Sequence, residues 1–176
     1  MLQAFRRSRS GTAAIEFAFI LPVLLMMFAG VVEAGRLFQV YDATNRLATQ
    51  YAIVLADCSD IPAGTCNSEL TALGSTSAIS NIVPQLQTSQ LSLSIFQVTM
   101  SGSTPTVVYS FPAGATLTAS QTLAAQGILL ANGQSGVIVT ATYSHSLQFF
   151  QTLMSPYFGS ALTPSYTAVQ LKSLNS

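Results

Sequence analysis

Charge is what this sequence has least of. Only 7% of its 176 residues are Asp, Glu, Lys or Arg, where an ordinary soluble domain carries roughly 25%. The basic side chains are Arg6, Arg7, Arg9, Arg36, Arg46 and Lys172; the acidic ones are Glu16, Glu33, Asp42, Asp57, Asp60 and Glu69. From Leu70 to Leu171 neither sign occurs. A nucleic-acid partner needs clustered Lys and Arg to replace counterions, so none is expected. A charged disordered tail is excluded as well. Histidine occurs once, as His145, and cysteine twice, as Cys58 and Cys66. That donor set is too small for a zinc centre, and Asp57 with Asp60 lacks the spacing of a calcium loop, so no metal is expected. A hydrolase built on Ser144, His145 and Ser146 would need an orienting acid, yet every acid lies at or before Glu69. No G-x-S-x-G elbow and no phosphate-cradling glycine loop is present. The chain reads as a non-enzyme that needs no cofactor.

Hydrophobicity is what is there instead. Arg6, Arg7 and Arg9 precede FAFILPVLLMMFAGVV, Phe17 to Val32, which carries no charge. Extended back to Thr12, the run spans about 31 Å as a helix, the thickness of a hydrocarbon core. Glu16 then lies inside it, where a carboxylate costs on the order of 3 kcal/mol at the centre and less near an edge. The arginines before the span place the N-terminus on the cytoplasmic side. Three readings fit this segment. One is a secretory signal cut after Ala34, and another is an uncleaved single-span anchor. The third is a prepilin-type leader, residues 1–11, removed after Gly11. That cut would create an amine on Thr12, four residues before Glu16, and a neighbouring subunit's amine could neutralise the carboxylate in an apolar surround.

From Leu37 the apolar residues become one-sided. Leu37, Val40, Tyr41, Thr44, Leu47, Ala48, Tyr51, Val54 and Leu55 recur at helical intervals, with Arg36, Asp42, Asn45, Arg46 and Gln50 on the other face. The expected organisation is a transmembrane helix over 12–33, an amphipathic continuation over 34–56 and a periplasmic domain over 57–176. Cys58 and Cys66 bracket Pro62 and Gly64, and in an exported domain a disulfide closing this small loop is the natural reading.

The domain reads as α+β. A helix is expected from about Ser68 to Val83, and a strand over Leu91–Met100 whose apolar residues change phase at Phe96, as a bulge would make them. A second strand carries Val107, Tyr109 and Phe111 after a turn at Ser101–Ser103. A short helix capped by Ser120 is expected, then strands over Gly136–His145 and Ser165–Leu171, with a helical turn between them at Leu147–Met154. Helices beside a small antiparallel sheet, following one long N-terminal helix, are the fold class.

Gly11 to Ala52, GTAAIEFAFILPVLLMMFAGVVEAGRLFQVYDATNRLATQYA, resembles the N-terminus of TadE-like pseudopilins of the tight-adherence (Flp, type IVc) pilus system. The matching residues are Gly11, Glu16 with Phe17, Pro22, and Glu33-Ala34-Gly35-Arg36; Val137 to Ser144 resembles a late strand of the same family more weakly. Thr12 after the glycine and the early cysteine pair depart from the type IVa branch. Major Flp pilins are much shorter than this chain, which points to a minor component. The resemblance implies cleavage between Gly11 and Thr12 by a prepilin peptidase, with Glu16 as the assembly carboxylate. It implies a single-pass protein of the bacterial inner membrane, surrounded by lipid and acting in fibre assembly or adhesion. Its partners would be other pilin and pseudopilin subunits and the inner-membrane assembly platform. The rival expectation is a membrane-anchored periplasmic binding or adhesin module unrelated to a pilus.

Overall fold

A computed structural model describes the backbone of residues 2–58, 76–129, 131–147 and 161–172, and side chains from 12–58 and from 79 onward within those ranges. Helix α1, Leu2–Ala56, runs unbroken through Pro22 and is about 82 Å long. Helix α2, Thr76–Ile82, and a single 3-10 turn, Thr88–Gln90, lead into strand β1, Leu91–Ser101. Strand β2, Thr104–Phe111, is followed by helix α3, Ala119–Ile128, and strand β3, Ser135–Tyr143. Two short strands, β4 (His145–Ser146) and β5 (Ala161–Leu162), pair with each other, and β6, Ser165–Leu171, ends the sheet.

The main sheet is antiparallel in the order β2-β1-β3-β6. Strand β3 lies at its centre because Val137, Ile138 and Val139 are apolar without alternation, and a strand with that pattern must be covered on both faces. On one face Val137, Val139, Ala141 and Tyr143 pack with Ile95 against Leu47, Tyr51 and Leu55 of α1. On the other, Ile138 packs with Phe96, Val98 and Met100 against Ala125 and Leu129 of α3. The domain is therefore three layers: α1, sheet, α3. Long helix, small antiparallel sheet and short helices make the expected α+β arrangement.

Several local expectations need correction. The change of phase in β1 is not a bulge in that strand. Its pairing with β3 is regular from Leu91↔Tyr143 to Thr99↔Ser135. The side chains keep alternating; what changes is the covered face, α1 lying over Leu91, Leu93 and Ile95, and α3 over Phe96, Val98 and Met100. The extra residue is Val108 on β2, where Gln97↔Tyr109 is followed by Val98↔Val107. Helix α3 is capped by Thr118, not Ser120: its side chain accepts from the Gln121 amide, while the Gln121 side chain accepts from the Thr118 amide. On α1, Tyr41 and Val54 are exposed and Ala43 and Ala52 are buried in their place. The buried positions advance around the helix from Ala43 to Ala52 and Ala56, as they must where a straight helix crosses a twisted sheet. Cys66, residues Ser68 to Ser75 of the expected helix, and most of the turn expected at Leu147–Met154 lie outside the described residues.

Candidate functional site

The first element of the site is an uncovered apolar helix. Every residue from Thr12 to Phe28 is exposed, among them Phe19 and Phe28. No described part of the domain reaches this segment, because the sheet packs only on the later half of α1. The helix is long and apolar enough to cross a membrane. Glu16 is exposed on it, and the bond between Gly11 and Thr12 lies inside the same continuous helix. These three residues, predicted as processing site and assembly carboxylate, thus share one element well separated from the domain core. Cys58 is buried just past the end of α1, its amide donating to the Leu55 carbonyl at 3.2 Å.

The second element is the junction where the domain first touches the helix. Glu33 is buried there, and its Oε1 lies 3.2 Å from Nε2 of His145 on β4. The path that brings them together is local. Leu91 of β1 pairs with Tyr143 at the end of β3, and the Ser144 amide donates to the Gln90 carbonyl at 2.9 Å. That turns the chain so that His145 meets α1 immediately past the apolar run. A neutral imidazole in this position donates from Nε2 to the carboxylate, and a protonated one forms an ion pair. Sequence reasoning alone sets His145 aside because every acid lies at or before Glu69, yet folding brings one of those acids, Glu33, against it. Its signal is faint: the sole histidine of a stretch without charge, and a carboxylate at the end of an apolar run.

Beside this pair opens a polar cleft of about 270 Å³, lined by Arg36, Gln39, Gln85, Gln87, Gln90 and His145 among others. Among the described residues no three His, Cys, Asp or Glu side chains come together as a metal site. A third feature is structural. Gln121, buried under α3, donates to Thr140 at 2.8 Å, and Thr140 shares a hydrogen bond of 2.8 Å with Thr167. This relay satisfies the polar groups beneath α3 without any charge.

Comparison with curated proteins and with solved structures returns no match. A family model does match, over the segment that holds Gly11, Glu16, Pro22 and Glu33 and most of the domain-facing stripe. Residues 11–52 match the model of the TadE-like protein family, consistent with a TadE-like protein of the tight-adherence pilus system.

Proposed function

We propose that the chain is a minor pilin, a pseudopilin-like structural subunit and not a catalyst, that is processed after Gly11 and acts in the assembly or adhesion of a tight-adherence fibre. The observation that carries this reading is the uncovered apolar helix with one carboxylate, Glu16, continuous with a helix that forms one wall of the domain core. Such a subunit can be drawn into a helical bundle by its first half while its second half carries the domain along rigidly. Glycine at position 11 also suits a cleavage site inside a helix, since it lowers the cost of opening the local turn by about 1 kcal/mol relative to alanine. The reading of a signal cut after Ala34 loses support from the junction, because that cut would remove Glu33 and leave His145 without its carboxylate.

In this reading the N-terminus is cytoplasmic, the domain is periplasmic, and the partners are other pilus subunits, the inner-membrane platform and a prepilin peptidase. A disulfide between Cys58 and Cys66 forms on export; alkylation and mass measurement of exported protein should find neither thiol free. The deciding experiment is the mass and N-terminal sequence of the mature protein. A start at Thr12 that is abolished by Gly11→Arg supports the proposal. An intact Met1 in membranes would make the helix a plain anchor for a binding or adhesin module, and a start at Gly35 would make the domain a secreted one.

A further inference from the structure

The cleft beside Glu33 and His145 has a fixed height above the membrane. If Thr12 to Val32 fills the hydrocarbon core, Arg36 lies four residues beyond it, about 6 Å along the helix axis. Polar headgroups occupy roughly the first 5–8 Å outside the hydrocarbon on each side. The end of the domain formed by the 3-10 turn, the start of β1 and β4 is the end that meets α1 at Glu33 and Val40. The Arg36 edge of the cleft therefore lies at the depth of lipid phosphates.

Its chemistry fits one kind of occupant. Arg36 is the cation at its rim, and Gln39, Gln85, Gln87 and Gln90 bring primary amides that both donate and accept. A guanidinium recognises a phosphate through its fork of N–H donors, and amides match hydroxyl groups, which a trimethylammonium headgroup lacks. Glu33, the nearby carboxylate, is buried against His145 at 3.2 Å and is not among the residues that line the cleft. We infer that this cleft binds the phosphate and hydroxyl-bearing headgroup of an anionic phospholipid, with Arg36 on the phosphate and the glutamine amides on the headgroup hydroxyls. The site would fix the height and rotation of the domain on the bilayer. The inference rests on membrane insertion alone and is independent of processing and of any pilus role.

The test uses the full chain reconstituted in bilayers of equal phosphatidylcholine and phosphatidylglycerol, extracted in maltoside, with co-purifying lipid counted by mass spectrometry. Phosphatidylglycerol should be enriched. Arg36→Gln should lower the enrichment about fivefold, Arg36→Lys, which keeps the charge but loses the fork, should give a smaller loss, and Arg46→Gln, ten residues further up the helix, should leave it unchanged. If Arg36→Gln does not accumulate, Gln39→Leu removes an exposed amide without touching charge and should also reduce enrichment by about fivefold. Equal retention of the two lipids by the wild type overturns the proposal, as does an Arg46→Gln loss equal to that of Arg36→Gln, since either outcome reduces the effect to bulk charge. Saturable binding of inorganic phosphate to the chain in maltoside, with the same sensitivity to Arg36→Gln, would assign the cleft to a soluble phosphate and overturn the lipid. A chain that carbonate strips from the bilayer overturns it too, whatever the mature N-terminus proves to be.

Discussion

Tyr51 is completely buried between α1 and the sheet, and burial pushes its phenol from 10.0 up to about 12. The neutral form is the one the core accepts. In the unfolded chain the phenol ionises near pH 10, while in the folded protein it holds its proton to about pH 12. Between those values the unfolded state binds fewer protons than the folded one, so stability falls as pH rises through this window. The full loss is on the order of 2–3 kcal/mol. Denaturant midpoints measured in detergent from pH 8 to pH 12 should show that alkaline decline, and Tyr51→Phe should flatten it. Position 51 is legible in the sequence as part of an apolar stripe. The Glu33–His145 contact is not, because no periodicity links residues 112 positions apart. What makes it invisible is that both residues, taken singly, have commonplace explanations: an interfacial carboxylate and a solvent-side histidine.

Elements are legible where the same face stays covered along their length and obscure where the cover changes sides. Strand β6 has the predicted ends, Ser165 and Leu171, and Val137, Val139, Ala141 and Tyr143 do share the face that meets α1. In β1 the two helices cover opposite faces at opposite ends, so an unbroken alternation looks like a slip of register. The end of this second layer lies directly against Gly136. A β-carbon added there would sit 2.7 Å from Cδ2 of Leu129 at the end of α3 and 2.9 Å from the Gln170 carbonyl of β6. The leucine can turn aside, but the carbonyl belongs to the ladder and cannot. Gly136→Ala should therefore destabilise the domain by about 1–3 kcal/mol, read as a lowered urea midpoint with unchanged slope. The equivalent change at Gly127, where nothing lies within 4 Å of the added atom, should not destabilise, since alanine is the better helix former.

At the scale of the whole molecule, the chain is an apolar helix projecting from a nearly charge-free domain, and the one charge on that helix beyond the leader arginines and before the domain is Glu16. A plain anchor has no use for it. Removing a carboxylate from a lipid-facing segment lowers the free energy of insertion, so Glu16→Leu should enter the membrane at least as well as the wild type. Processing after Gly11 should also persist, since a prepilin peptidase would read mainly the glycine and the basic leader, on the other side of the bond. The difference should come later, when subunits associate. In a bundle of such helices the amine of a processed Thr12 would be buried against a neighbour, and without the carboxylate it would lack a counter-charge, at about 3–5 kcal/mol where the surround is dry. That magnitude is enough to empty the subunit from an assembled complex while leaving its folding untouched, because no residue from Thr12 to Phe28 belongs to the core. Two measurements on the same preparation separate the cases: mature mass, and co-purification with other pilus components after mild solubilisation. Normal mass with lost co-purification identifies Glu16 as an assembly carboxylate. Normal mass with normal co-purification would reduce it to a carboxylate that the interface merely tolerates, and the pilin reading would then have to stand on cleavage alone.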